Sequence, residues 1–380
     1  MFEKALDKDW LWPLGIFFVT RIGLVLVIFL GATLMSGQTP ATGWDSHPEN
    51  LLVNGWARWD SGWYKEIADN GYVAGRRPNG EQSAVFFPLY PILMRGATAI
   101  VGDTVWAGFL VSNVAFAVAL LALYDMLKPA HGIGTARWTI RLLATFPFAF
   151  YFSAVYSESV FLLAVVGAFF FAGRKRWAAA ALCAAAASAA RPYGVLVGVG
   201  LAITYMQQAH FRIREVRPDI LWLLLTPAGL LAFAGHLALI SGDPLLFINA
   251  RYGNAWDSSQ LVYRFGELIA QVSAPANLLA GRYRSPDGIH LAILLTAIAA
   301  LVVQRRRLPP GEWVWAITSL IVIGVIGWAS AGRYVLPIYS AFTAFVLCVR
   351  RPALLRSVLI VNTLLMALFA LMYSRWDWVS

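Results

Sequence analysis

The sequence predicts an all-α polytopic membrane protein of about eleven transmembrane helices, with amphipathic and re-entrant helices in its first outer loop. Three observations lead there. Hydrophobic residues make up 59% of the 380 positions and charged residues only 13%, against about 25% charged in soluble domains; mean hydropathy is +0.64. Apolar runs that cross or nearly cross a bilayer recur along the chain. The basic residues behind the net charge of +10 fall in short clusters between those runs, as cytoplasmic loops require. They form no single patch of the kind that suits nucleic acid.

In order, the runs lie at 13–35, 104–127, 137–155, 157–173, 177–190, 193–208, 219–240, 289–303, 313–329, 333–349 and 354–373. The first is too long for a signal-peptide core and lacks a small-residue cleavage site, so it reads as a retained helix. Basic clusters occur from Lys128 to Arg137, at Arg174-Lys175-Arg176, from Phe211 to Arg217, at Arg305-Arg306-Arg307 and at Arg350-Arg351. Placing all of them in the cytoplasm puts the N-terminus inside and Trp376-Asp377-Trp378 outside, and parity then holds for every span. It holds only if Val85 to Val101 does not cross. That run carries Pro88, Pro91 and Arg95, and it predicts a re-entrant or interfacial helix beginning near one of the prolines. Backbone of that kind at membrane depth needs protein or a water-filled cavity around it, so an outer cavity is expected.

The chain reads as one domain, 1–380, with extracytoplasmic loops at 36–103 and 241–289. Cys183 and Cys348 lie in apolar runs without metal-ligand spacing and read as packing residues. The alanine-rich stretch 178–190 suits close helix packing.

The segment from Trp56 to Tyr72 differs most from its apolar surroundings. As a helix from about Ser61 to Asn70, it sets Trp59, Trp63 and Ile67 on one stripe and Asp60, Lys65, Glu66 and Asp69 on the other side. Such a helix suits the membrane–water boundary. Asp60, between two tryptophans, has the chemistry of a general base for an acceptor hydroxyl. It equally suits an N-cap for the helix starting at Ser61, and the two roles are compatible. Asp69 is expected to be solvated or to support the helix end.

Further along, Glu158 sits where two spans turn at the outer mouth. A carboxylate there is a functional candidate, with an exposed turn residue or an ion-pair partner as the plainer readings. Arg191 and Arg333 begin outer ends of apolar runs, each followed by a tyrosine and a proline. Paired guanidiniums at that depth suit a lipid-linked phosphate; single ones suit snorkelling to head groups. Arg251, Arg282 and Arg284 in the second loop are further phosphate candidates, and Arg21, inside the first span, has no partner that the sequence names. Asp45-Ser46-His47-Pro48-Glu49 offers metal-ligand types in no recognisable motif. No glycine-rich nucleotide loop lies next to a strand, so no cofactor is expected and an activated donor is expected to be a membrane lipid.

Together, Arg58-Trp59-Asp60, Ile67-Ala68, Gly71-Tyr72 and Phe86-Phe87-Pro88-Leu89-Tyr90-Pro91 resemble the PIG-V-like mannosyltransferases. Tyr156-Ser157-Glu158-Ser159 with Phe161, Ala190-Arg191-Pro192 with Gly194, and Arg333-Tyr334 with Pro337 continue the resemblance in the same order. It implies a GT-C glycosyltransferase. Eukaryotic members of that family add mannose during glycosylphosphatidylinositol assembly, using dolichyl-phosphate-mannose on the lumenal face. For this chain it implies inverting transfer from polyprenyl-phosphate-mannose to a hydroxyl of a glycan or glycolipid. Asp60 would be the base, Arg191 and Arg333 would hold the donor phosphate, and Arg58, Trp59, Trp63, Tyr156, Glu158 and Tyr334 would bind or support substrate. The compact, arginine- and alanine-rich chain leans towards a bacterial relative, with its site on the outer face of the plasma membrane. Two other function classes fit a polytopic chain: a secondary transporter or lipid flippase, and a noncatalytic assembly partner docking through the aromatic loop.

Overall fold

The computed structural model describes residues 8–34, 50–73, 75, 82–251, 287–327, 330–349, 351–377 and 379, and all regular structure among them is helical. The run Asp45 to Glu49, with Arg282 and Arg284, lies outside the described residues. The first half comprises α1 (Trp12–Leu34), α2 (Leu51–Asn54), α3 (Ser61–Asn70), α4 (Leu89–Val101), α5 (Thr104–Ala144), α6 (Glu158–Gly173), α7 (Trp177–Ala190) and α8 (Val197–Gln208). The second comprises α9 (Ala228–Ser241), α10 (Leu246–Asn249), α11 (Asp287–Val303), α12 (Pro310–Ile326), α13 (Ala331–Tyr334), α14 (Tyr339–Cys348) and α15 (Pro352–Ser374). Four segments, Trp12–Thr33, Thr104–Ala144, Pro218–Ser241 and Pro352–Ser374, are long and apolar enough to cross a membrane as helices, and shorter apolar helices of 10–17 residues fill out the bundle.

The bundle has two polar ends. At one, Asp9 accepts from Tyr124 (2.7 Å) and pairs with Arg137 and Lys128 (3.3 Å). Arg174 meets Asp125 there (2.6 Å). The other end gathers Asp60, Glu158, Arg191 and Arg333. Successive apolar segments run alternately between the two. Thus α5 leaves the Asp60 end, where Thr104 donates to Asp69 (2.6 Å), and reaches the Asp9 end at Tyr124. α6 returns from Glu158 to Arg174.

Three expected spans take a different form. Residues 104–155 were expected to hold two helices joined by a loop; two helical arms are present, but the first runs on past Pro129 and the break between them is confined to Gly132, whose non-helical φ of 83° suits glycine. The second arm stops at Ala144. From Thr145 to Ser157 the backbone is irregular apart from a 3-10 turn, Ala149–Phe152, and all but one of its side chains are buried. Non-helical backbone at this depth must be satisfied by protein. Arg21 does much of that, donating to the carbonyls of Ala144 (2.8 Å) and Ala149 (2.9 Å) and lying over the Phe116 ring. Ser112 donates to Ala154 (2.8 Å) and Ser159 to Phe152 (2.6 Å). The partners missing from the sequence reading of Arg21 are thus main-chain carbonyls. The expected span 333–349 is likewise split into α13 and α14 around Pro337, and 219–240 into a 3-10 stretch, Pro218–Leu225, followed by α9.

α4 spans about 20 Å at 1.5 Å per residue, short of a roughly 30 Å hydrocarbon core. Near its start Tyr90 donates to Gly108 (2.9 Å) and meets Ser112 (2.8 Å), two turns along α5 from Thr104. The loop 82–88 therefore dips into the bundle, and α4 climbs back beside α5, the re-entrant form expected from Pro88 and Pro91. Below it lies an apolar cavity of about 790 Å³ between α4, α5, α6 and α7, lined by Leu89, Leu93, Val118, Val160, Phe170 and Ala186 among others.

Candidate active site

α3 spans Ser61–Asn70 and ends at Gly71, with φ 81°, matching the boundaries expected of it. Its approach is bent: Trp59 has φ 54°, a left-handed conformation uncommon for a bulky residue and typical of functional sites. Two buried tyrosine hydroxyls bracket this turn. Tyr156 donates to the Arg58 carbonyl (3.1 Å) and accepts from the Asp60 N–H (3.2 Å). Tyr373 accepts from the Arg58 N–H (3.2 Å) and donates to the Trp56 carbonyl (3.2 Å). Asp60 occupies the N-cap position, yet its side chain makes no capping bond. The capping expectation is therefore corrected: the carboxylate is held by Arg333 instead, whose Nη1 donates to Oδ2 at 2.7 Å. Its Oδ1 has no hydrogen bond among the described residues.

From Asp60 a chain of alternating charges runs inward. Arg333 Nε lies 3.5 Å from Glu158 Oε1, and the same oxygen accepts from Arg191 Nη2. Arg191 also contacts Ser157 (3.3 Å) and Tyr193 (3.2 Å), and Arg333 contacts the Tyr334 hydroxyl (3.2 Å). Glu158 begins α6 and Arg191 follows the last residue of α7, so each charge sits at the helix end that favours its sign. Aromatic rings wall the cluster, with Arg333 over Tyr151, Tyr156 and Tyr334, and Arg191 over Phe161 and Tyr334. Glu158 is fully buried, the two arginine side chains are 8% exposed and Asp60 is 17% exposed. An isolated charge would be very costly here; two acids alternating with two guanidiniums are not isolated. Asp60 is the member of the chain that opens to solvent.

Arg333 reaches this position because α13 packs tightly. A side chain at Gly332 would meet the Phe148 ring at 2.4 Å, and the Gly332 N–H donates to His290 Nδ1 (2.9 Å).

The structure thus brings together Asp60, Tyr156, Glu158, Arg191, Arg333 and Tyr334. It turns Arg58 away: that guanidinium bonds the Ser374 carbonyl (3.0 Å) and Asn54 (2.7 and 2.9 Å) and lies over Trp376. It anchors the loop to the last helix. Trp59 packs edge-on against Trp376, and Trp63 stacks on Phe86 at 5.7 Å. Arg191 and Arg333, expected to face a phosphate, are both engaged by carboxylates. Asp69 ties α3 to Thr104 (2.6 Å) and pairs with Lys65 one turn back along the same helix (2.6 Å), the supporting role expected of it. Tyr373, Tyr193, Ser157 and Tyr64, which bonds Ser157 at 3.0 Å, were not singled out in the sequence. Only Ser157 and Tyr193 adjoin a motif; Tyr64 and Tyr373 look like any interfacial tyrosine until the fold is seen. Among the described residues no three His, Cys, Asp or Glu side chains gather as a metal site.

The helix arrangement, with its charged cluster at one end of an apolar bundle, has counterparts among solved structures. The fold is similar to the apo oligosaccharyltransferase of Archaeoglobus fulgidus, with TM-score 0.53 and 11% identity over 97% of this chain and 56% of that one. It is also similar to ArnT from Cupriavidus metallidurans bound to undecaprenyl phosphate, with TM-score 0.51 and 13% identity over 90% and 62%. Those identities speak for the fold alone, and the chain spans little more than half the length of these neighbours. No curated protein sequence matches it. The sequence model of the mannosyltransferase (PIG-V) family matches residues 32–240, more than half of the chain, and the chain belongs to that family.

Proposed function

We propose that this protein is an inverting mannosyltransferase that takes its sugar from a polyprenyl-phosphate-linked donor and passes it to a hydroxyl of a glycan or glycolipid. The observation that carries this reading is the Asp60–Arg333 pair: a carboxylate fixed through Oδ2, with Oδ1 left to take a proton, at the mouth of the charged cluster. Asp60 accepts the acceptor's O–H proton as that oxygen attacks the anomeric carbon. The bond from that carbon to the phosphate oxygen breaks on the opposite face, and polyprenyl phosphate leaves with the bonding pair. A phosphate leaves without protonation, so one carboxylate suffices, unlike the two used in glycoside hydrolysis.

Family membership supports mannose as the sugar. The undecaprenyl phosphate bound by the fold neighbour ArnT supports a lipid carrier. The apolar cavity suits its tail: Val160 and Ala186 of its lining lie within about two turns of Glu158 and Arg191. With the basic clusters at the Asp9 end taken as cytoplasmic, the site faces outward, from the plasma membrane of a bacterial cell.

The test is transfer of labelled mannose from polyprenyl-phosphate-mannose by purified protein, with and without chelator. Asp60→Asn should fold normally and turn over about 10²–10⁴-fold more slowly, the usual contribution of a general base. Normal turnover by a folded Asp60→Asn protein would sink the mechanism. Lipid movement across liposomes with no labelled product would replace it with the flippase reading.

A further inference from the structure

The chain of charges that starts at Asp60 continues past Arg191 and returns. Arg191 Nη2, which donates to Glu158, also donates to Ser157 Oγ at 3.3 Å. That hydroxyl meets the Tyr64 hydroxyl at 3.0 Å. Tyr64 lies on α3 four residues after Asp60, whose own backbone angles are helical, so the two stand one turn apart on the same face. The contacts thus close a ring: Asp60, Arg333, Glu158, Arg191, Ser157, Tyr64 and back along α3 to Asp60.

The two ends of α3 are held differently. Its far end is tied through Asp69 to Thr104, about two and a half turns on from Asp60. Its first turn is joined to the charged cluster by the Asp60–Arg333 bond and the Tyr64–Ser157 bond. The first alone would leave the carboxylate free to pivot about Arg333 Nη1; the second fixes the helix at another point. Tyr64 and Ser157 are both buried, where a hydrogen bond is strong and its loss is not made good by solvent. The Tyr64 ring is seated edge-on by Phe86 (5.2 Å), Tyr90 (5.1 Å) and Tyr156 (6.1 Å). Tyr156 is the residue whose hydroxyl bonds both the Arg58 carbonyl and the Asp60 N–H, so Tyr64 also packs on the group that shapes the Asp60 turn.

We propose that Tyr64 and Ser157 are positioning residues for the transfer reaction. Through α3 on one side and Arg191 on the other, their hydroxyls set where Asp60 Oδ1 stands relative to the two guanidiniums, without touching substrate. The two hydroxyls form a single link, so removing either breaks it and removing both breaks nothing more. This rests on Asp60 being the base, as proposed above.

The test is steady-state transfer from polyprenyl-phosphate-mannose by full-length protein in nanodiscs, with amide exchange measured on the same samples. Tyr64→Phe and Ser157→Ala should each lower kcat about tenfold, the upper range for one neutral hydrogen bond, with the KM for the donor unchanged. The double variant should lose no more than either single one, as expected of groups that act through one contact. Amide exchange should quicken in α3 of each variant and stay at the wild-type rate in α9. Wild-type kcat in either variant, or losses that multiply in the double variant, would overturn the positioning role while leaving Asp60 as the base. A raised KM with unchanged kcat would make these hydroxyls part of donor binding and overturn it as well, as would unaltered exchange in α3. No transfer by the wild type would overturn the reading of Asp60 and this role with it.

Discussion

Asp60 and Glu158 are both carboxylates in ion pairs with Arg333, yet their surroundings divide their roles. Glu158 is sealed off and shared by two guanidiniums, so it serves to hold cations in place; Asp60 keeps one oxygen at the open edge. Removing the Glu158 charge leaves Arg191 buried without a counter-charge, which should cost about 3–5 kcal/mol of stability. Chemical unfolding of Glu158→Gln in detergent would measure this, and a loss below about 1 kcal/mol, the range of exposed pairs, would contradict it. Asp60→Asn should cost less stability than Glu158→Gln and far more turnover. The candidates themselves were legible in the sequence, because charges are rare in an apolar chain. Their pairing was not. Asp60 and Arg333 are 273 residues apart, and local spacing around Asp60 suggested a helix cap that the structure does not form.

At the scale of elements, the irregular segment 145–157 and the short α13 deliver the site residues. Arg21 fastens the first and the Phe148–Gly332 contact seats the second. Arg21→Met should destabilise the protein by about 2–3 kcal/mol, since charged hydrogen bonds to the Ala144 and Ala149 carbonyls are lost. Faster amide exchange should appear in 145–157 and not in α9. Gly332→Ala should displace α13 against Phe148, lengthening the Arg333–Asp60 bond. Transfer should fall about 10²-fold, as expected for a misplacement of about 1 Å near the chemistry, while the fold persists. Equal activity in Gly332→Ala would show that α13 can shift without consequence. The apolar runs, the helix Ser61–Asn70 and the re-entrant α4 could be read from composition and proline placement. The breaks after Ala144 and around Pro337 could not, because an aromatic run such as Phe146 to Phe152 is equally apolar whether helical or not. Carbonyl partners for Arg21 leave no trace in a sequence.

Across the whole molecule, the two polar ends differ in character: one carries the proposed chemistry and the other ties the N-terminal segment to α5. The Tyr124 hydroxyl, with Arg137 and Lys128, holds the Asp9 carboxyl down at about 2 from its usual 3.8. Its folded-state pKa is depressed, so its contribution to stability is present above about pH 4 and is lost as pH falls towards 2. Thermal unfolding of wild type and Asp9→Asn should therefore differ at pH 7 and at pH 5, and converge near pH 2. A difference that persists at pH 2 would contradict this. The alternation between ends was readable from basic-cluster parity. Which face of each helix meets its neighbour was not, since lipid and protein interior select the same side chains.

The long separation between Asp60 and Arg333 also bears on how the protein is made. A ribosome adding about 5–20 residues per second leaves Asp60 waiting roughly 14–55 s for Arg333. Arg58 waits longer still for Ser374, 316 residues away. Until then the nascent chain, already threaded into the bilayer, holds the Asp60 carboxylate without the guanidinium that orients it. The Asp60–Arg333 pair therefore forms only once the chain through α13 has been made.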